Sequence, residues 1–371
     1  MNDFSLHMPV RVISGKNCVC NSSALLASFG KKALIITGKS GAKKSGALLD
    51  VEAALTAQGT DSLLFDKVGE NPLLSVCREA GKCAADFGAD FLIAVGGGSV
   101  LDAAKAAAIF ATNRFENAED IYTQNNITPP LPLTVIGTTA GTGSEVSKVA
   151  VITVDTTGEK RSISRDECYA ALALCDPKYT YRLPRSVTVS TALDAFAHAT
   201  EAWFSKKRNT TAEVYARACL PEIFGILKTL ARGEALTEAQ RDTMYYCSLC
   251  AGMCLCIGTT FPHLLGYTLT DHRGVPHGQA CAVFDKALIA FCADRAPAEA
   301  TAFFELLGAE KAEVLQVMES LIDIPESTTF RAEEIQKYSA KWTDDNPKLS
   351  NVCGGFKRKD SLTLFESFTE N

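Results

Sequence analysis

The chain has 371 residues, more than one hydrophobic core usually serves, so two domains are expected, and 47% hydrophobic residues are enough to fill both cores. A net charge of −6 leaves no basic stripe for nucleic acid, and a mean hydropathy of +0.05 goes with no uninterrupted apolar run of membrane length. Residues 1–10 show no basic region followed by an apolar stretch, and the chain carries fourteen cysteines, so a reducing, cytoplasmic setting is expected.

A first strand is expected near Cys18 and Cys20, which read as packing residues. Short apolar runs at 33–37, 62–65, 91–95 and 133–136 alternate with helical patterns such as 46–57 and 75–87, which implies a parallel sheet covered by helices on both faces. After the third run comes Gly96-Gly97-Gly98-Ser99, then an alanine-rich stretch in which Ser99 precedes Asp102 by three residues, the pattern of a capped helix. Glycines there bring backbone N–H groups against an anion, and the positive end of the helix favours phosphate. Residues 149–154 and 160–163 flank a turn at 155–158 and read as a β-hairpin.

The pattern changes at Leu183-Pro184, which sets the expected domains at 1–183 and 184–371. Helical periodicity dominates the second half, at 192–204, 211–230, 238–256, 279–292, 298–307, 312–322 and 332–342. Cys247, Cys250, Cys254 and Cys256 match the count of an iron–sulfur cluster. They follow a capping box at Thr237–Gln240, however, and the first three fall on one apolar helix face, where free cysteine behaves as a small hydrophobe.

Asp194 and His198 lie four residues apart on one helix face and can hold one ion between them. The chain has only five histidines, and three of the others gather at His263, His272 and His277. His263 and His277 could close such a site. An isolated Asp-x-x-x-His is more often a local pair, and it is the phosphate loop upstream that favours the metal reading.

Together these residues resemble the iron-containing (group III) alcohol dehydrogenase family. The resemblance runs through Gly96–Ser99 with Asp102 and Lys105, the stretch 137–146 (Gly-Thr-Thr-Ala-Gly-Thr-Gly-Ser-Glu-Val), Asp176-Pro177, Asp194-x-x-x-His198 with Glu201-Ala202, His263, and Pro276-His277-Gly278. It implies an α/β plus all-α architecture, a Rossmann-like N-terminal domain with a helical C-terminal domain, the dehydroquinate synthase-like fold. It also implies that Asp194, His198, His263 and His277 bind the metal and that Gly97, Gly98 and Ser99 hold a pyrophosphate. Asp102 would then face the nicotinamide carboxamide, with Asn71, Thr138, Thr139 and Lys160 lining the dinucleotide cleft.

The implied activity is a metal-dependent NAD(P)-linked alcohol dehydrogenase or aldehyde reductase acting on small primary alcohols or aldehydes, as a homo-oligomer (dimer or larger) without nucleic-acid or membrane partners. Three imidazoles and a carboxylate already fill a tetrahedral zinc site, whereas Fe2+ accepts five or six ligands and keeps a place for substrate; Fe2+ is expected, with Zn2+ able to occupy the site. NADP is favoured over NAD, because the segment after residues 33–37 holds Lys39, Ser40, Lys43 and Lys44 and no carboxylate to repel a 2′-phosphate.

The chain departs from the family in two places. Tyr267 stands where many members carry a second histidine assigned to proton relay, so that His272 is either the relay in its place or a solvated loop histidine, and the tail after Lys341 diverges beyond Asp344–Pro347. Arg273 either meets an anionic far end on the substrate or points to solvent. Glycerol dehydrogenase, maleylacetate reductase or a dehydroquinate synthase-like enzyme is the alternative on the same fold, and a non-catalytic redox or nucleotide sensor the alternative of another class.

Overall fold

The computed structural model describes residues 4–370. Its strands are β1 Arg11–Ser14, β2 Lys32–Gly38, β3 Asp61–Val68, β4 Phe91–Gly96, β5 Leu133–Gly137, β6 Val149–Thr153, β7 Lys160–Ser164 and β8 Leu172–Cys175. Six of them form a parallel sheet in the order β1-β8-β5-β4-β2-β3, while β6 and β7 pair as a separate antiparallel ribbon. Every residue of β4, β5 and β8 is buried, as a strand covered on both faces requires. β8, four residues of Leu-Ala-Leu-Cys, is too short to be distinguished from a helical fragment by periodicity, and sequence reading missed it.

The chain steps from β2 outward to β3 and then returns past β2 to β4, so the strand order reverses between β2 and β4. A crevice opens at such a reversal beyond the carboxyl ends of the strands, and ligands of open α/β sheets bind there. The loops that follow β2 and β4 carry Ser40 and Gly97–Ser99. The helix after β4 runs Gly98–Thr112 with Gly97 as its cap and no side-chain capping bond. Ser99 therefore sits inside the first turn and is not the cap that its spacing from Asp102 suggests.

The chain divides into two compact units, one His7–Pro184 and the other everything from Arg185 onward with the short stretch ending at Leu6. The second unit is built on the helix Arg185–Trp203, whose residues from Ala192 to Trp203 are all buried, together with Thr210–Ala231, Glu238–Cys254, Phe261–Arg273 and His277–Arg295. Sequence periodicity missed the helix Phe261–Arg273, whose Gly266, Thr268 and Thr270 are weak helix formers. It also started the next helix two residues late.

Glycine explains why these helices approach so closely. A Cβ on Gly266 would stand 3.2 Å from the backbone of Ala280 and Cys281, and one on Gly278 would collide with the backbone of Ser190. Cys247, Cys250 and Cys254 are buried in the core and Cys256 is exposed; the Cys254 thiol donates to the Ala212 carbonyl at 3.6 Å. Among the described residues no single helix is long and apolar enough to cross a membrane.

Candidate metal and dinucleotide sites

Three helices converge on Asp194. Its Oδ1 lies 3.9 Å from His198 Nε2, 3.6 Å from His263 Nε2 and 3.8 Å from His277 Nε2. The His198 and His263 rings stack at 4.6 Å between centroids. Asp194 Oδ1 and His263 Nε2 are buried without a hydrogen-bond partner, an expensive arrangement unless a further group completes it. Four ligands at 2.0–2.2 Å from an ion stand roughly 3.4 Å apart, and each of the three nitrogens lies only a few tenths of an ångström beyond that from Asp194 Oδ1. The donor set therefore fits a divalent ion, and the 30% exposed side chain of His277 is where it opens.

Burial alone would raise the pKa of Asp194, but His198, His263 and His277 together hold it well below the usual carboxylate range. Burial would likewise keep His263 neutral, yet Cys281, Glu201 and Asp194 raise its pKa well above that of a free imidazole.

A second ring of side chains orients the first. Glu201 Oε1 accepts from His263 Nδ1, while its Oε2 accepts from the Thr260 backbone N–H and, at 3.0 Å, from the Thr260 hydroxyl. That pairing holds the proton on Nδ1 and directs Nε2 toward Asp194, the carboxylate–histidine arrangement that tunes metal ligands. Glu201 was visible in sequence only as part of a motif; its spacing of seven residues from Asp194, two helical turns, is the signal that points to its role.

Cys281 went unnoticed. Its sulfur is 3.7 Å from both ring nitrogens of His277, and its ligand atom lies within 4.8 Å of those of Asp194, His263 and His277. It stands one helical turn beyond His277. Asp285, one turn further, is fully buried with neither carboxyl oxygen hydrogen-bonded. Burial first, and then the charge of Glu201, raises its pKa well above the usual carboxylate range.

In the α/β unit, the loops after β2, β3, β4 and β5 carry Ser40, Asn71, Gly97–Ser99 and Thr138-Thr139, all at the carboxyl ends of their strands. A Cβ on Gly97 would sit 3.2 Å from Thr139, and one on Gly98 would sit 2.6 Å from Thr142. Glycine thus lets the 138–143 loop lie directly on the phosphate loop, with the Thr138 N–H donating to Gly96 O at 2.9 Å. Asn71 adopts left-handed backbone (φ 51°), which asparagine tolerates better than most residues. The ribbon reaches the same edge: Thr153 N–H donates to Pro72 O at 2.8 Å, and Thr153 pairs with Lys160.

Asp102 is tied to the segment that follows β5. Its Oδ1 accepts from the Ser144 hydroxyl at 2.6 Å and its Oδ2 from the Val151 N–H at 2.9 Å. Buried Lys105 donates to Ser144 Oγ at 2.6 Å and to Val149 O at 2.9 Å. Both oxygens of Asp102 are thus engaged in holding the segment 144–151 to its helix.

Two sequence models cover almost the whole chain, "Iron-containing alcohol dehydrogenase" over residues 9–177 and "Fe-containing alcohol dehydrogenase family, C-terminal" over residues 188–350. The chain belongs to the iron-containing alcohol dehydrogenase family. It is 33% identical to the NADPH-dependent aldehyde reductase YqhD of Escherichia coli over 78% of its length and 76% of that protein. Alcohol dehydrogenase 4 of Schizosaccharomyces pombe is 31% identical over 75% of this chain, a match spanning 66% of the yeast protein. The crystal structure of an iron-containing alcohol dehydrogenase from Thermotoga maritima superposes with a TM-score of 0.86 at 28% identity and 99% coverage of both chains. The Rossmann-like sheet and helical C-terminal region are the fold of this family.

Against that family, three expectations need correction. His272 lies nine residues along its helix from His263, roughly 13 Å of helical rise, and stacks on Tyr338 at 3.8 Å, so it does not join the ligand cluster. Tyr267 does, stacking on His277 at 5.4 Å. Arg273 is fully engaged by Glu334 (2.9 Å), Thr329 O, His272 O and the Phe330 ring. A carboxylate also stands near the segment after β2: Asp66, on neighbouring β3, pairs with Lys43 at 3.0 Å.

Proposed function

We propose that the protein is a metal-dependent NAD(P)(H)-linked alcohol dehydrogenase or aldehyde reductase of small primary alcohols and aldehydes. The observation that carries this reading is the pair of buried, unpartnered atoms Asp194 Oδ1 and His263 Nε2 among three imidazoles, in a chain that also presents a glycine phosphate loop at a strand-order reversal. Asp194, His198, His263 and His277 would hold the ion. Gly97, Gly98 and Ser99 would bind the pyrophosphate through backbone N–H groups at a helix start, with Thr138, Thr139, Asn71 and Lys160 around it.

When bound, the ion supplies Lewis-acid polarisation of a carbonyl oxygen and the reduced nicotinamide supplies a hydride for the carbonyl carbon. The chain's own work is positional. Glu201 keeps the His263 Nδ1 proton in place, Gly266 and Gly278 hold the ligand helices together, and Asp102 and Lys105 fix the segment 144–151. Fe2+ is proposed for the active state, with Zn2+ able to bind, because five or six ligands leave a place for substrate. A homo-oligomer in the cytoplasm is the proposed working form.

NADP(H) is proposed over NAD(H). Ser40, Lys39 and Lys44 support it, as does the relative named an NADPH-dependent reductase; Lys43 contributes less, since Asp66 neutralises it. Steady-state kcat/KM for a neutral aldehyde with NADPH and with NADH tests both levels of the reading. Turnover with either, abolished by chelation and restored by Fe2+, supports the enzyme class, and no metal-dependent turnover with either overturns it. A tenfold advantage for NADH, about 1.4 kcal/mol, would overturn the NADP preference alone.

A further inference from the structure

The ligand cluster has one cation beside it that the proposed chemistry leaves unused. Lys348 follows Asn346-Pro347 on the short helix Pro347–Ser350, and its Nζ lies over the Tyr267 ring, 5.0 Å from the centroid. Tyr267 is the residue stacked on His277, with ring planes only 15° apart. The ammonium is therefore one aromatic ring away from the ligand through which the cluster opens. Among the described residues no carboxylate stands within 4.0 Å of it; the backbone N–H of Lys348, not the ammonium, donates to Asn346 Oδ1 at 2.9 Å.

Several other cations of the unit have carboxylate partners. Arg273 is taken by Glu334, Arg217 and Arg208 by Glu213, and Lys286 by Glu319. Burial pushes the pKa of Lys348 down, while Glu201 and Cys281, close enough to feel its charge, pull it up. A partly buried ammonium without an anionic partner is unfavourable unless something supplies the missing charge, and the strongest such partner is an oxyanion that accepts charge-assisted hydrogen bonds.

We infer that Lys348 binds an anionic terminus of the substrate, so that the preferred substrates are short aldehydes carrying a carboxylate or sulfonate at the end remote from the carbonyl. Tyr267 then has a definite task in this chain. Its ring separates the cation from His277 and sets the spacing between the end of the substrate that is recognised and the end that reacts. This inference rests on the aldehyde-reductase reading and narrows it to a substrate class.

The test compares kcat/KM for succinic semialdehyde against butanal, and for sulfoacetaldehyde against propanal, in the metal-loaded protein and its Lys348→Met and Lys348→Arg variants. The wild type is expected to favour the anionic member of at least one pair, and which pair shows the larger gain distinguishes carboxylate from sulfonate. Lys348→Met should reduce that preference by about tenfold or more, mainly through KM, and Lys348→Arg should keep part of it. Inorganic sulfate should inhibit butanal reduction competitively in the wild type and about tenfold more weakly in Lys348→Met, a change that a merely structural lysine would not produce.

Equal or better turnover of the neutral aldehydes by the wild type overturns the inference and leaves the enzyme class standing, as does a preference that survives Lys348→Met. If Lys348→Met does not fold, absence of competitive sulfate inhibition in the wild type overturns it. Failure to reduce any of the four aldehydes with either nicotinamide overturns the underlying function and this inference with it.

Discussion

The two units prepare their sites from different parts of the chain. In the α/β unit the surface proposed to face an anion is backbone: Gly97 and Gly98 sit where any Cβ would press on Thr139 or Thr142. In the helical unit the site is made of side chains from three helices, with glycine used one layer behind, at Gly266 and Gly278, to bring those helices together. Backbone recognition tolerates changes in the residues around it as long as the chain can follow its path. Side-chain ligation fails when one atom is missing.

The sharpest way to break that contrast is to remove an imidazole. His263→Ala or His277→Ala should lower turnover by about 10³-fold or more, the scale of several kcal/mol of Lewis-acid stabilisation, and deplete bound metal while dinucleotide affinity stays close to wild type. Metal analysis, kinetics and NADPH titration check all three. Wild-type activity in either variant after exhaustive chelation would remove the Lewis-acid mechanism.

Glu201→Gln probes the layer behind the ligands. It keeps the shape and loses the charge that orients His263, so metal affinity measured by chelator competition should fall by about 10- to 100-fold. An unchanged affinity would mean that the helices alone place His263. Gly98→Val attacks the other unit: its Cβ would stand 2.6 Å from Thr142, and overpacking of this kind costs about 1–3 kcal/mol. The variant should melt earlier and bind NADPH more weakly with its metal content intact, and Thr142→Ala in the same chain should recover part of the loss.

The smallest effect concerns Asp285, which ordinary unfolded-state chemistry would ionise near pH 4 and whose pKa the fold raises well above that. A folded-state pKa raised in this way gives stability that is complete below the unfolded pKa and is lost as pH rises through the folded one. Asp285→Asn does not titrate, so its melting temperature should gain on the wild type as pH increases, by up to about 1.4 kcal/mol per pH unit in that window. Parallel melting curves from pH 5 to pH 8 check this, and a constant gap would show that Asp285 is already ionised.

The same contrast governs what the sequence reveals. The phosphate loop is contiguous, so one strand, a glycine run and a helix start disclose it. Asp194 and His198 are legible because one helical turn relates them, but His263 and His277 lie 69 and 83 residues from Asp194 and join it only through helix packing, so they were assigned by resemblance. Cys281 and Asp285 follow His277 at one and two turns, and starting that helix at residue 279 hid the relation. Asp66 reaches the segment after β2 from a neighbouring parallel strand, a proximity that no local pattern encodes. His272 was misjudged for the opposite reason, since closeness in sequence was taken for closeness in space.

The ligands also come from helices joined by short connections, Phe261–Arg273 to His277–Arg295, each drawn toward the central helix Arg185–Trp203. An ion held by all three acts as a clasp on the tertiary structure as well as a reagent. Its removal takes away those bonds, and local opening of these helices becomes easier by the free energy of the lost binding. Amide exchange in residues 261–285 should then run faster in apo-protein than in metal-loaded protein, with β4 and β5 unchanged. Protein that has lost its metal in a chelating buffer would be inactive for two reasons at once, a missing Lewis acid and a loosened wall around the place it occupied.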